Sequence, residues 1–119
     1  MITVIKSPFV QYKLTILRNK KTSNTVFRQT MNEISYLIAS DVLQYVPFKK
    51  QTIETPLKKM SGTALGQPII LVPILRAGLG LLEGFAKFLP EAEKGHIGLY
   101  RDEQTYEPVE YLFKLPRVK

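Results

Sequence analysis

Apolar residues in the first part of the chain recur at helical spacing. Between residues 23 and 47 the spacing of three and four residues predicts one long amphipathic helix that starts near Ser23 or Asn24 and stops before Pro47. Its predicted core face consists of Phe27, Met31, Ile34, Ile38, Val42 and Tyr45. A shorter helix is predicted before it, with Ser7 as N-cap and Pro8 at the first helical position, where the missing proline N–H costs nothing.

Residues 1–47, which contain both predicted helices, are called the helical lead. After it, apolar residues no longer recur at regular spacing. Residues 48–66 alternate only loosely between polar and apolar and include Pro56, which predicts one or two exposed strands of a hairpin arm.

From Gly66 onward the pattern predicts strands and a helix in alternation. The run "PIILVPIL" is apolar on both faces, as expected of a parallel strand covered by helices. A glycine-containing turn follows, then a helix closed by Pro90, then a second strand in "HIGLYRDE". The predicted apolar face of this helix consists of Leu81, Leu82, Phe85, Phe88 and Leu89. Residues 67–101 therefore form a predicted βαβ core of an α/β fold, and residues 102–119 a second hairpin arm bent near Pro108.

Composition narrows the class of protein. The chain has 119 residues, enough for one domain with a modest core, and its 45% hydrophobic and 23% charged residues are typical of a globular protein. It lacks cysteine, which excludes disulfides and thiolate-bound metal. The amino terminus lacks the apolar core of a signal peptide, and the longest apolar run is too short to cross a bilayer, so we expect a cytoplasmic protein without a membrane partner.

The net charge of +7 favours an anionic partner, such as nucleic acid, nucleotide or phosphate. The paired lysines are also explained if they only keep the protein soluble. The net charge alone therefore does not show whether the chain binds an anionic partner.

The stretch "VPILRAGLGLLEGF" holds the strongest candidate site. Arg76 follows the predicted buried strand and Arg101 ends the next one, and ligands of α/β sheets bind at these carboxyl ends. Gly78 and Gly80 would let backbone N–H groups approach an anion at the start of the following helix. The spacing is one residue off the dinucleotide fingerprint and lacks the lysine-serine pair of a P-loop. A structural reading also stays open, in which the glycines ease packing and Arg76 caps a helix or pairs with Glu83.

This stretch, followed by "GLYRDEQTYEPVEYLFKLP", resembles the uracil phosphoribosyltransferase family, and the helical lead resembles the opening helices of that family. The resemblance implies a glycosyltransferase of pyrimidine salvage that joins uracil to 5-phosphoribosyl 1-diphosphate and releases pyrophosphate. It implies that Arg76, with the backbone of Ala77 and Gly78, and Arg101 bind the pyrophosphate of the ribose donor. It further implies Mg²⁺ with the donor. Asp102 and Glu103 could bind this ion through the pyrophosphate, or they could be a solvated loop pair without a ligand. Because only one further core strand follows the apolar run, we expect an unpaired sheet edge and therefore a homo-oligomer, a dimer that uses its hairpin arms.

The chain also departs from this family. Family members continue past the position of Lys119 into a loop for the ribose 5-phosphate and a glycine-rich segment for uracil, and no matching stretch follows Pro116. We therefore expect a truncated, amino-terminal half of a phosphoribosyltransferase-type sheet that is inactive alone. Two alternatives stay open: a non-catalytic module that binds nucleic acid or an acidic partner, and a structural subunit that completes its sheet with a partner chain.

Overall fold

The structure, a computed structural model, describes residues 2–117. Its helices are α1 (Pro8–Arg18), α2 (Asn24–Val42) and α3 (Leu79–Phe88), and a short 3-10 turn (Leu43–Tyr45) follows α2. Its strands are β1 (Phe48–Glu54), β2 (Lys59–Leu65), β3 (Ile70–Leu71), β4 (Ile74–Leu75), β5 (Glu93–Lys94), β6 (His96–Arg101) and β7 (Pro108–Lys114). The predicted mixed α/β class with parallel strands is confirmed.

Both amino-terminal helices begin where the sequence predicts. Pro8 is the first residue of α1, and the side chain of Ser23 caps α2 by accepting a hydrogen bond from the N–H of Val26 at 3.2 Å. The predicted core face of α2 is partly wrong, because Phe27, Val42 and Tyr45 are exposed. The buried positions of α2 are Thr30, Ile34, Ser35 and Ala39.

This difference follows from the way α2 meets α3. The N–H of Gly84 donates to Ser35 Oγ at 2.8 Å, and this hydroxyl donates to the carbonyl of Asn32 at 2.6 Å. A Cβ on Gly84 would lie 2.4 Å from the backbone of Ser35 and Tyr36. The two helix backbones therefore touch, and small residues line their contact. From the sequence, the three glycines Gly78, Gly80 and Gly84 are expected in the turn before this helix. Gly80 and Gly84 lie inside α3, so this expectation is wrong for these two.

Strands β1 and β2 form an antiparallel hairpin within the predicted arm, with Phe48 opposite Leu65 and Glu54 opposite Lys59. All of β1 is exposed, and Leu57 at the tip is 95% exposed. The hairpin pairs with no other strand among the residues described.

The apolar run is divided into β3 and β4 rather than forming one buried strand. Strand β3 runs parallel to β5, and β4 runs parallel to β6. Pro73 lies between β3 and β4 and has no N–H to donate, which interrupts the ladder. Leu71 and Pro73 are buried, but Ile74 is 52% exposed, so the prediction of a strand covered on both faces is wrong for this chain.

The predicted arm at residues 102–119 ends outside the described residues, which stop at 117. Residues 102–117 hold a single strand, so the prediction of a hairpin bent at Pro108 is wrong for them. Pro108 starts β7, which pairs antiparallel with β6, and the loop of residues 102–107 joins the two. Proline fits here because β7 is an edge strand. Within residues 2–117, no helix has both the length and the hydropathy needed to cross a bilayer.

Candidate anion-binding site

Parallel pairing of β4 with β6 brings the two candidate arginines to the same end of the sheet, where both strands have their carboxyl ends. Leu75 lies opposite Gly98, Arg76 follows β4 directly, and Arg101 is the last residue of β6. Continued register puts Arg101 two residues beyond the position opposite Arg76, about 7 Å along the strand. Both arginines are exposed. The guanidinium groups of Arg76 and Arg101 can therefore contact the same anion if it has two phosphate groups.

The turn between β4 and α3 is closed by backbone hydrogen bonds. The N–H of Gly78 donates to the carbonyl of Ile74 at 2.7 Å, and the N–H of Leu79 donates to the carbonyl of Arg76 at 3.1 Å. A Cβ on Gly78 would lie 2.5 Å from the carbonyl oxygen of Ile74. Only glycine fits at this position, and its N–H is already used inside the turn. The peptide bond between Leu75 and Arg76 is cis.

Two N–H groups of the turn have no backbone acceptor among the residues described, those of Arg76 and Ala77. They come just before α3, where the aligned peptide dipoles of the helix favour an anion. Within residues 2–117, no carboxylate forms an ion pair with Arg76, so the alternative pairing with Glu83 does not occur in the structure. The Arg76 guanidinium is thus available to a ligand.

Asp102 organises the loop that follows Arg101. Its carboxylate accepts hydrogen bonds from the N–H of Thr105 at 2.9 Å and from the N–H of Gln104 at 2.8 Å. These two bonds, that of Thr105 first, hold the pKa of Asp102 below its ordinary value of 3.8. The N–H of Tyr106 donates to the Asp102 carbonyl at 2.9 Å, and Tyr106 adopts a left-handed φ of 59°.

The hydrogen bonds of this loop involve one of the two candidate metal ligands, Asp102. One carboxylate oxygen of Asp102 serves the loop, and Glu103 is exposed. Across residues 2–117, no three histidine, cysteine or acidic residues gather into a potential metal cage.

A packing contact between β6 and β7 was not predicted from the sequence. The pairing of β6 with β7 shifts register between Gly98 and Leu99, which leaves Tyr111 as the extra residue of a bulge. A Cβ on Gly98 would lie 2.6 Å from the Tyr111 ring, so the ring packs directly on the backbone of β6. The ring centroids of Tyr100 and Tyr111 are 6.1 Å apart. A glycine in one predicted strand and a tyrosine in the neighbouring strand form the sequence signal that could have predicted this contact.

The fold and the site together define an α/β protein with a βαβ unit whose strand ends are suited to bind an anion. Residues 4–118 match the family model described as uracil phosphoribosyltransferase. The chain therefore belongs to the uracil phosphoribosyltransferase family, as the sequence resemblance predicted.

Individual relatives agree with this assignment. The chain is 48% identical over 114 residues to "Uracil phosphoribosyltransferase" of Levilactobacillus brevis, which covers 95% of the chain and 54% of that relative. It is 47% identical over 116 residues to the protein of the same name from Streptococcus pneumoniae, at 97% and 56% coverage. The solved structure of the AQ2163 protein from Aquifex aeolicus superposes with a TM-score of 0.88 and 31% identity over 98% of this chain and 56% of that one. The chain spans about half the length of the curated relatives it matches.

Proposed function

We propose that this chain carries the pyrophosphate-binding part of a uracil phosphoribosyltransferase site, which acts on uracil and 5-phosphoribosyl 1-diphosphate. The observation that carries the proposal is the turn after β4. Its unused N–H groups, the start of α3 and the exposed Arg76 guanidinium lie together at one strand end. Family membership supports the choice of a ribose diphosphate donor as the anion.

The proposed reaction forms a bond between uracil N1 and the anomeric carbon of the donor as the bond from that carbon to the pyrophosphate oxygen breaks, and the proton of N1 is released to water. Negative charge grows on the departing pyrophosphate, and donors aimed at it stabilise the transition state. Arg76 and the N–H of Ala77 bind the pyrophosphate from the turn, and Arg101 binds it from the neighbouring strand. Gly78 keeps the turn closed through its bond to Ile74.

The family resemblance implies Mg²⁺, which commonly binds one or two carboxylates together with phosphate oxygens. The described residues hold no group of three or more potential metal ligands, and one carboxylate oxygen of Asp102 accepts hydrogen bonds within its own loop. Asp102 and Glu103 are the carboxylates that would hold the ion together with the donor, and the ion would supply positive charge beside the departing pyrophosphate.

We expect the isolated chain to form no measurable uridine monophosphate from uracil, the ribose donor and Mg²⁺. The proposed site binds only the pyrophosphate end of the donor, and the chain spans 54% of its Levilactobacillus brevis relative. Chromatography with labelled uracil measures the product, with that full-length relative as the positive control. Product above the level of a mock purification would contradict this prediction.

Pyrophosphate alone is expected to bind the chain with a dissociation constant on the order of millimolar, because a few charge-assisted hydrogen bonds barely exceed the cost of association. Arg76→Ala should weaken this binding about tenfold or more, since a hydrogen bond to a charged group contributes about 1.5 to 3 kcal/mol. Titration calorimetry measures both constants.

Arg28→Ala is the matched control, because Arg28 is an exposed arginine of α2 and its loss changes the net charge equally. Equal pyrophosphate affinity in the two variants would return Arg76 to a structural role.

We further propose that the chain forms a dimer through its hairpin arms. Support comes from the β1–β2 hairpin, which exposes apolar side chains with no partner among the described strands. The exposed apolar residues of this hairpin are Phe48, Ile53, Leu57, Met60 and Leu65. Sedimentation at micromolar concentration measures the mass of the assembly.

A second candidate function is binding of nucleic acid by the same hairpin. Four exposed lysines on or beside its strands support it, namely Lys49, Lys50, Lys58 and Lys59. Contacts of this kind release counterions, so affinity for single-stranded RNA would fall steeply with salt. Loss of RNA binding on replacing these lysines, with pyrophosphate binding unchanged, would favour this function.

A further inference from the structure

Positive charge is concentrated at the amino-terminal end of the sequence. Residues 1–32 contain six lysines and arginines and no acidic residue, whereas residues 33–119 contain eleven lysines and arginines against ten acidic residues. Most of the net charge of +7 therefore comes from the part of the chain that forms α1, the loop after it and the start of α2. An uneven charge of this kind is typical of a surface that binds a polyanion.

Five of these six cations are exposed, namely Lys6, Arg18, Lys20, Lys21 and Arg28. Within residues 2–117, none of the five forms an ion pair with a carboxylate. Lys6 precedes α1, and Arg18 is the last residue of this helix. Lys20 and Lys21 form the turn that follows. Since α1 has 11 residues, cations lie at both of its ends, about 16 Å apart.

Two aromatic side chains lie on the exposed face of α1 between these cations. Phe9 and Tyr12 are 54% and 55% exposed, and their rings meet edge to face with centroids 5.8 Å apart. The sixth cation, Lys13, restrains both rings, because its Nζ lies 5.5 Å from the Phe9 centroid and 5.4 Å from the Tyr12 centroid. The same Nζ forms an ion pair with Glu33 of α2, and the Lys13 side chain is only 16% exposed. The rings are therefore held at the surface while the charge of Lys13 is neutralised beneath them.

Fixed aromatic rings between cations are the features with which proteins bind single-stranded nucleic acid. Bases stack on the faces of aromatic side chains, and lysine and arginine bind the phosphates. A lipid surface fits less well, because insertion needs a continuous apolar face and the exposed face of α1 also contains Gln11 and Thr15. The lysines of the hairpin are partly neutralised, since Lys59 pairs with Glu54 at 3.8 Å. The charge and the rings together thus favour α1 as the surface for a single strand.

We propose that the outward face of α1 binds single-stranded RNA without regard to its base sequence. Bases stack on Phe9 and Tyr12, and the phosphates on either side of them bind the cations at the two ends of the helix. This α1 surface consists of Lys6, Phe9, Tyr12, Arg18, Lys20 and Lys21. It is distinct from the turn after β4, and the proposal does not depend on binding of pyrophosphate there.

Titration of the 119-residue chain with a fluorescently labelled oligoadenylate of about 12 nucleotides, long enough for a single-strand site of one domain, tests the proposal. Contacts from four cations should make the logarithm of the affinity fall with the logarithm of the salt concentration with a slope of about −3. Phosphatidylglycerol vesicles should bind more weakly at equal phosphate concentration, and pyrophosphate at equal ionic strength should not displace the oligonucleotide. A slope near zero, equal binding of the vesicles, or displacement by pyrophosphate would each overturn the proposal.

Two double variants distinguish α1 from the hairpin. Lys20→Glu with Lys21→Glu and Lys49→Glu with Lys50→Glu both reverse a pair of adjacent exposed lysines and change the net charge equally. We expect the first pair to weaken oligonucleotide binding at least tenfold and to make the salt slope shallower by at least about 1, since two phosphate contacts are lost. The second pair should weaken binding less than threefold. An equal or larger loss in the hairpin variant would assign the RNA to the hairpin and overturn the proposal.

A further pair of variants tests the aromatic rings. Tyr12→Leu removes one ring and keeps an apolar side chain, and Tyr45→Leu makes the same change at an exposed tyrosine after α2. Because stacking of one base contributes about 1 to 3 kcal/mol, we expect Tyr12→Leu to weaken oligonucleotide binding at least fivefold and Tyr45→Leu to leave it unchanged. The unfolding midpoints of both variants should equal that of the parent chain. Equal oligonucleotide affinity of the two variants would overturn the proposal.

Discussion

Gly84→Ala is expected to destabilise the helical part of the chain by about 3 kcal/mol or more, a large share of the stability of a small domain. The added methyl group would lie 2.4 Å from backbone atoms of Ser35 and Tyr36. Backbone cannot rotate away as a side chain can, so α2 and α3 would have to separate. Separation also breaks the bond from the Gly84 N–H to Ser35 Oγ and leaves a buried donor unpaired. Urea unfolding followed by circular dichroism measures the loss.

Gly80→Ala is the matched control on the same helix. A Cβ at Gly80 would meet only the side chain of Met31, at 3.0 Å, which can move. Alanine is also a better helix former than glycine by about 1 kcal/mol. We therefore expect this variant to be as stable as the parent chain or more stable. Equal unfolding midpoints for Gly84→Ala and Gly80→Ala would show that the close approach of the helices does not limit stability.

Gly78→Ala is expected to weaken pyrophosphate binding at least tenfold while the helices stay folded. The new methyl group would lie 2.5 Å from the Ile74 carbonyl oxygen, which already accepts the Gly78 N–H. Relief of this clash opens the turn and moves the N–H groups of Arg76 and Ala77 away from each other. Because oriented donors supply most of the proposed affinity, we expect a loss of at least tenfold.

Pyrophosphate titration and the unfolding midpoint are measured together for Gly78→Ala, so that loss of the turn is distinguished from loss of the fold. Gly80→Ala again serves as the control, because it lies two residues further along and leaves the turn unchanged. If Gly78→Ala bound pyrophosphate as tightly as this control, the turn would not be the binding site.

The site was only partly predictable from the sequence. Arg76, Arg101 and the turn glycine could be assigned to neighbouring strand ends because the order of strand, helix and strand implies parallel pairing. The specific role of Gly78 could not be predicted, because its N–H donates to the carbonyl of Ile74 within the turn instead of pointing toward an anion. Nor could the role of Asp102, whose carboxylate bonds to two N–H groups of its own loop. Such roles depend on backbone directions that residue types alone do not specify.

The sequence by itself determined the features that depend on short-range interactions. These are the starts of α1 and α2 at Pro8 and after Ser23, the end of α3 before Pro90, and the family to which the chain belongs. Caps, prolines and helical spacing act within a few residues, so they can be read without knowledge of the fold.

Only the tertiary structure decided which faces these elements bury. Phe27 fits a core face by spacing yet is exposed, while Ser35 is buried because α3 approaches α2 at Gly84. The apolar run of β3 and β4 has the composition of a central strand, yet one of its edges pairs with no strand among residues 2–117. The physical reason is that burial depends on which distant segments meet, and local pattern states only what each segment could bury.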